Sequence, residues 1–425
     1  MKSIEQIAAE LQGYDPQALS AERVNEFLAQ LVAPIREAEH CGVFDALGRV
    51  LAEDVVSPIS VPPHDNSAMD GFAFDGTQLN PGQALVLRCL GTAFAGQAWS
   101  GQAGAGDCVK IMTGAIMPPG MDTVVPLEFV KVDGDLVSVP ADVVRPGDNR
   151  RLLGEDLMAG RPALRQGQVL GPAALGLIAS LGLPTVPAYR RLKVAYFSTG
   201  DEILSLGDSP REGAVYDSNR YTVFGLLTRM GLQVVDMGVV RDEPHALETA
   251  FRQAAREADA IITSGGVSMG EADHTKAMMK QLGDVAFWRI AMRPGRPMAV
   301  GRIVEDGKSS ILFGLPGNPV AVMVTFLAFV RPALQIMSGA APTAPVLLKA
   351  HSAEALRKKP GRTEYQRGIV TREADGSLRV RTTGNQGSGV LSSMVEGNGL
   401  IVLHHGQGNV AVGDEVDVMM FDGAI

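Results

Sequence analysis

Residues Asp259–Lys276 read DAIITSGGVSMGEADHTK. The apolar run Ala260-Ile261-Ile262 has the composition of a parallel strand covered on both faces. It breaks into Thr263–Gly270, after which Glu271 and Asp273 open a helical pattern. In an open α/β sheet such a strand-to-helix loop lies at the carboxyl edge, where ligands bind. Its glycines, Gly265 and Gly266, let a ligand approach main-chain N–H groups, with Ser264 and Ser268 beside them, and the helix start favours an anion. Asp273 could hold a divalent cation next to that anion. A plain connecting loop with a capping acid accounts for the same residues when they stand alone. Four further polar loops of this kind in the same region argue for a site.

Those loops punctuate an alternation of strand and helix from Arg191 to about Ser338, which predicts a doubly wound α/β domain. The predicted strands are LKVAYFS, QVVDMGVV, AIITSGG, VAFWRIA and SILFGLPG. The loops are STGDE (Ser198–Glu202), YDSNRY (Tyr216–Tyr221), VRDEP (Val240–Pro244) and GLPGNP (Gly314–Pro319). Parallel strands point their carboxyl ends to one edge, so Glu202, Asp242 and Asp273 are predicted to converge there as cation ligands. In GLPGNP, Gly317 permits a sharp bend, Asn318 suits the N-cap and Pro319 the first helical turn, with a phosphate seat as an additional role. FWRIAMRPGRP gathers Arg289, Arg293 and Arg296 around a Pro-Gly turn ending at Pro297. Guanidinium groups bind oxyanions in a planar fork and stay charged, so the three read as an oxyanion clamp.

Working outward, residues 4–12 and 21–38 read as amphipathic helices, and a third short helix is predicted around Asp45–Asp54. Gly-rich turns separate short strands from there to about Val144, a small β domain. RPGDNRRLLGEDL, the helix GPAALGLIASLG and the strand PTVPAY follow, and predict that the β domain is an insertion. After an Ala/Pro linker, five short strands predict a small C-terminal β-barrel. The expected divisions are 1–55 with 145–190 as a discontinuous helical linker domain, 56–144 as the inserted β domain, 191–338 as the α/β domain and 345–425 as the barrel.

The totals agree with several domains: 425 residues exceed one ordinary core, and 46% apolar with 20% charged residues describes a soluble globular chain. A net charge of −9 argues against broad nucleic-acid binding and requires a local basic pocket for any anionic substrate. Cys41, Cys89 and Cys108 show no metal spacing and read as buried thiols in a reducing compartment. No signal peptide and no apolar run of membrane-spanning length are read, so the cytoplasm is expected. GRIVEDGKSS misses the P-loop spacing by one residue and reads as a hairpin. Neither a dinucleotide-binding G-x-G-x-x-G nor an H-x-x-x-H pair is found, which argues against a nicotinamide dehydrogenase and a zinc site.

Taken together, TSGGVSMGEAD, STGDE, YDSNRY, RPGRP, GLPGNP, NSAMDG and IMTG make the chain resemble the molybdopterin molybdenumtransferase (MoeA) family, to which the C-terminal portion of gephyrin is similar. The resemblance extends from about Val24 to Asp422. It implies a homodimer of four-domain subunits that takes adenylylated molybdopterin and molybdate, uses Mg²⁺ to cleave the adenylate, and inserts molybdenum with release of AMP. It places Glu202, Asp242 and Asp273 at the nucleotide and metal pocket, with catalytic Asp70 (NSAMDG) and Thr113 (IMTG) offered across the dimer cleft. Arg367 and Ser388 fall on positions that complete the molybdate site with RPGRP. The family commonly carries lysines where this chain has Arg289, Arg293 and Arg296, which are therefore read as electrostatic hosts without an acid–base part. Molybdopterin adenylyltransferase and downstream molybdoenzymes are implied partners. The alternatives are a non-catalytic gephyrin-like scaffold and a molybdopterin adenylyltransferase.

Overall fold

The computed structural model describes residues 2–267 and 274–422; Ser268 and Asp273 lie outside them. Helices α1 (Ile4–Glu10) and α2 (Ala21–Leu31) begin at Ser3 and Ser20, whose side chains accept from Gln6 N and Arg23 N. On α2, Val24, Phe27, Leu28 and Leu31 form one fully buried stripe. Such a stripe is worth about 1.5–3 kcal/mol per side chain once covered. It is covered by the α/β domain, not by the linker unit to which the sequence assigned it. Phe27 meets the Trp288 ring edge-on at 4.9 Å, and Trp288 Nε1 donates to Tyr14 Oη at 3.0 Å. Periodicity shows that a helix face is buried; it does not say against what.

The chain then passes into a linker unit. Ala38–Gly42 pairs antiparallel with Thr185–Tyr189, over a core that includes helix α3 (Pro172–Ser180). The helix predicted at Asp45–Asp54 does not form. A single 3₁₀ turn, Val43–Asp45, gives way to bridges from Val50 to Val169 and from Leu51 to Ala188. Gly48, at φ +72°, interrupts any helical run there. The strand that closes this unit pairs with the one that opens it, so everything between is an excursion. Its middle folds as a six-stranded sheet from Gly71–Phe74 to Leu136–Val139, the inserted β domain.

The α/β domain is built on β1 (Lys193–Thr199), β2 (Gln233–Val240), β3 (Ala260–Ser264), β4 (Gly283–Arg289), β5 (Pro297–Glu305) and β6 (Lys308–Leu315), in the order β2-β1-β3-β6-β5-β4. The first four in that order are mutually parallel; β5 is antiparallel to both neighbours. GRIVEDGKSS is the predicted hairpin: Glu305 faces Lys308 across Asp306 and Gly307, both with positive φ, as a type I′ turn requires. Because β4 and β5 are successive reversals, the end of β4 and the start of β5 share the edge where β1, β2, β3 and β6 end.

Helix α4 (Ser218–Arg229) covers one face of this sheet. Helices α5 (Pro244–Glu257) and α6 (His274–Leu282) cover the other. Helix α7 (Pro319–Thr325) runs through a π-helical turn, Phe326–Val330, into α8 (Arg331–Met337). These 19 residues have a mean hydropathy of 1.9, enough in length and composition to cross a membrane. The sequence reading finds no apolar run of membrane-spanning length; by length and composition this helix is one. In the fold, 78% of it is buried between sheet, α2 and barrel, the signature of a core helix.

The last unit closes on itself. Strands β7 (Leu348–Ser352), β8 (Thr363–Arg372), β9 (Leu378–Thr382), β10 (Gly399–Leu403) and β11 (Glu415–Met420) run β8-β9-β7-β11-β10 and back to β8, a five-stranded barrel. It is stitched to the α/β domain by the parallel pairing of Met292-Arg293 with Thr363-Glu364 and by Val320 N donating to Ser388 O at 3.1 Å.

Candidate active site

Three strand ends are drawn together by glycines. Gly265 stands at φ +94°, and a Cβ there would lie 2.4 Å from Thr199 O. Gly266 stands at φ +65°, with the buried Thr275 so close that a Cβ would meet its Cβ at 2.4 Å. No other residue fits either position, so the β3 loop lies directly on the end of β1 and on the first turn of α6. Thr275 in turn donates from Oγ1 to Asp242 Oδ1 at 3.1 Å, fixing the acid that follows β2 behind the same loop. Glu202 lines the open side together with Gly265.

Two cavities open along this edge. The larger, about 750 Å³, is lined by Glu202, Gly265 and Gly266, by Arg293, Arg296 and Pro297, by Gly317 and Asn318, and from the barrel by Arg362, Gln386 and Ser388. The smaller, about 470 Å³, lies against the start of α4 and shares Glu202, Gly265, Gly317 and Asn318 with the first. Ser264 lines it and belongs to a buried hydroxyl cluster, 2.7 Å from Tyr196 Oη and 3.2 Å from Ser198 Oγ. Burial pushes the Tyr196 phenol far up, so it stays protonated and serves as a fixed dipole.

The remaining predicted residues divide by location. Arg293 and Arg296 stand on the turn leading into β5, exposed to the larger cavity, with Gly295 pressed against Thr325 of α7. Arg289 does not join them. It follows Val285 and Phe287 on the α6 side of β4 and is exposed there, away from both cavities. Asn318 is the N-cap residue of α7 but makes no side-chain cap bond, which leaves its amide to the cavity.

Arg367 is in the barrel as expected yet faces inward, 1% exposed. Its Nε donates to Ser393 Oγ at 2.9 Å, and its Nη2 to Gly387 O at 2.9 Å and Asn385 O at 3.3 Å. It thus holds the loop that presents Gln386 and Ser388. Burial, and then Arg293 nearby, lower its pKa to about 10, so it remains cationic at neutral pH.

Asp70 and Thr113 meet in the inserted domain: Thr113 N and Oγ1 both donate to Asp70 Oδ1 at 2.7 Å. Those bonds hold the Asp70 carboxyl below its usual range. The pair is exposed and lines neither cavity of its own chain. The sequence reading missed Arg362, bound to Glu364 at 2.7 Å, together with Gln386 and, within YDSNRY, Asp217 and Asn219. Only the last two carried a local signal, as polar residues at the head of a predicted helix.

A doubly wound domain whose carboxyl edge faces a basic cavity, completed by a C-terminal barrel, defines a class of multidomain protein with an oxyanion-binding cleft between the two. Residues 195–336 match the family described as "Probable molybdopterin binding domain". Residues 19–182 match the MoeA N-terminal region (domain I and II), and residues 349–421 the MoeA C-terminal region (domain IV). The molybdopterin molybdenumtransferase of Haemophilus influenzae is 40% identical over 399 residues, covering 94% of this chain and 97% of that one. The Nostoc sp. molybdopterin molybdenumtransferase is 34% identical, covering 90% and 89%. The crystal structure of molybdopterin biosynthesis moeA protein from Pyrococcus horikoshii OT3 superposes with a TM-score of 0.79 at 26% identity, covering 95% of this chain and 100% of that one. The chain belongs to the MoeA family of molybdopterin molybdenumtransferases.

Proposed function

We propose that the chain transfers molybdenum from molybdate into adenylylated molybdopterin at the paired cavities, releasing AMP. Family membership supplies the frame: a transferase of molybdenum cofactor biosynthesis. The single observation that carries the finer reading is the larger cavity, where Arg293, Arg296 and Arg362 face the Glu202 and Gly265-Gly266 edge across one space. Molybdate is a tetrahedral dianion, and guanidinium groups with the Ser388 hydroxyl and Gln386 amide suit it. On a chain of net charge −9, this local concentration of arginine is what admits the dianion.

Main-chain N–H groups of the glycine loop would seat the phosphates, and Asn318 would orient them. Glu202, a hard oxygen donor that lines both cavities and is in no ion pair among the described residues, suits Mg²⁺. Asp242, held by Thr275 behind the glycine loop, lines neither cavity, so the three-acid convergence expected from the sequence is not what the described residues form. Glu202 would hold the ion together with Asp273. When bound, Mg²⁺ would offset negative charge as the phosphoanhydride is cleaved. The residues of the chain then divide the work: arginines hold molybdate, Glu202 sits between the two cavities, and Arg367 fixes the barrel loop.

Asp70 and Thr113 stay exposed and preorganised on the inserted domain, which favours a homodimer in which that arm reaches the partner's cavity. Molybdopterin adenylyltransferase as supplier, molybdoenzymes as acceptors and a cytoplasmic location complete the reading. AMP release from adenylylated molybdopterin, dependent on both Mg²⁺ and molybdate, is the test. Binding of substrate without AMP release would refute it.

A further inference from the structure

A further cavity, about 300 Å³, opens at the edge of the sheet opposite the active site, where β1 and β2 begin. Three parts of the chain meet there: the linker unit at residues 48–50, the turn from α4 into β2, and the end of α8. Arg49, Arg190, Arg191, Arg229 and Arg331 line it, and among the described residues no aspartate or glutamate does. Two of these arginines are paired from outside the cavity. Arg49 bonds to Glu39, and Arg190 to Asp259 at 2.7 Å and Glu37 at 3.4 Å. Arg191 and Arg229 are in no ion pair among the described residues.

Arg191 is held in place by one bond and left open elsewhere. Its Nη1 donates to Gly231 O at 2.6 Å, and a Cβ on Gly231 would stand 3.0 Å from that nitrogen and 3.7 Å from Gly48 O. The guanidinium is thus pinned where the linker turn at Gly48 meets the end of α4. Its Nε and Nη2 make no hydrogen bond among the described residues and are not buried. Arg229, exposed in the last turn of α4 two residues before Gly231, offsets the negative end of that helix, which would otherwise repel an anion. Val50, Val169 and Met230 supply apolar wall.

We propose that this cavity binds a phosphate group, as the free ion or on a small monoester, through Arg191 and Arg229, joining the linker unit to the α/β domain. A carboxylate has two oxygens in one plane and is satisfied by a single guanidinium fork. A phosphate carries nearly two charges and three oxygens in a tetrahedron, so it accepts forks from two directions. The two arginines come from different elements, one before β1 and one ending α4, which suits a tetrahedral dianion. On a chain of net charge −9, an acid-free pocket of arginines carries mutual repulsion that a bound anion removes. Its volume is at the lower limit of small-molecule sites, so a monoester is restricted to a compact body against the apolar wall. The assignment stands independently of the transferase reading.

The active-site cavity is also basic, so the titrations use full-length protein carrying Arg293→Ala and Arg296→Ala, which removes that second host. Inorganic phosphate, glycerol 3-phosphate and succinate are titrated by calorimetry in about 0.1 M salt, which screens charges more than about 10 Å away. Circular dichroism confirms the fold. One phosphate group per chain is expected, with succinate at least about tenfold weaker. Adding Arg191→Gln or Arg229→Gln should weaken phosphate binding at least about tenfold, whereas Arg289→Gln, an exposed arginine elsewhere, should leave it within about twofold. Because Arg229 is exposed and makes no bond among the described residues, its variant tests the site even where Arg191→Gln disturbs the turn. Tighter binding of glycerol 3-phosphate than of inorganic phosphate identifies a monoester as the occupant, and the reverse identifies the free ion. No saturable phosphate binding, succinate binding as tightly, or an affinity that Arg229→Gln moves no more than Arg289→Gln does would each overturn the assignment.

Discussion

Arg367 separates two ways of building an oxyanion site. If its guanidinium contacted molybdate, charge would be the property that matters, and Arg367→Lys would preserve most of the function. The fold gives it a different task. Three directional bonds, to Ser393 Oγ, Gly387 O and Asn385 O, fasten the loop that carries Gln386 and Ser388. Hydrogen bonds from a charged donor contribute about 1.5–3 kcal/mol each, and a buried acceptor left bare costs about 1–3 kcal/mol.

A lysine reaches with one ammonium instead of a rigid fork, so it can replace at most part of this set. Arg367→Lys is therefore expected to forfeit about 2–4 kcal/mol of loop ordering, close to the loss in Arg367→Ala. If half of that appears in binding, the molybdate concentration for half-maximal AMP release rises by roughly 5- to 30-fold in both variants. The assay is molybdate dependence of AMP release, with hydrogen exchange at residues 385–388 as a second readout. A lysine variant with wild-type molybdate dependence, or an alanine variant with unchanged exchange in that loop, would refute the reasoning.

Other consequences are simpler to state. Arg293→Ala and Arg296→Ala should each raise the molybdate requirement at least about tenfold, whereas Arg289→Ala, outside the cavity, should leave it within about twofold; a titration of the three variants decides. Gly265→Ala should lose about 2–4 kcal/mol, from a positive φ and a Cβ 2.4 Å from Thr199 O, and a melting temperature equal to wild type would contradict this. Burial is the largest influence on the Asp259 carboxyl and would raise it, but the bonds from Arg190 and the Lys193 N–H, with the charges of Arg190 and Lys308, together outweigh it and hold the pKa below its usual value. Its stabilisation is thus complete above about pH 4 and lost as pH falls through the lower folded value; in acid unfolding, Asp259→Asn should flatten that part of the curve. Chelation of Mg²⁺ should stop AMP release without changing the circular dichroism spectrum, and turnover persisting in excess chelator would exclude the metal role.

The architecture was legible wherever a local pattern had one structural solution. Apolar runs ending in polar loops and alternating with helical patterns have one solution, parallel strands with a shared carboxyl edge, and β1, β2, β3 and β6 are that. Asp306-Gly307 could only be a hairpin. What escaped were facts about partners. Amphipathic α2 announced a buried stripe, but Trp288, far away in sequence, decides where it docks. RPGRP announced cations, but the pleat of β4, with Phe287 on the side of α6, sends Arg289 away from Arg293 and Arg296. Arg367 carried the right charge in the right domain, and from strand β8 it points the other way. Arg362 and Gln386 had no signal at all, because the barrel comes to the cavity through contacts between strands that no short stretch records.

The excursion that leaves after α2 and returns before β1 constrains how the molecule can bend. Arg190 N donates to Glu37 O at 2.9 Å, so outgoing and incoming backbone are tied side by side at the point of departure. A projecting arm held by a single strand could spin about its own axis; one held by two adjacent strands can rock but cannot spin. The exposed Asp70–Thr113 pair is carried on this excursion and is therefore tied to the body through two strands, like a bracket fixed at two points.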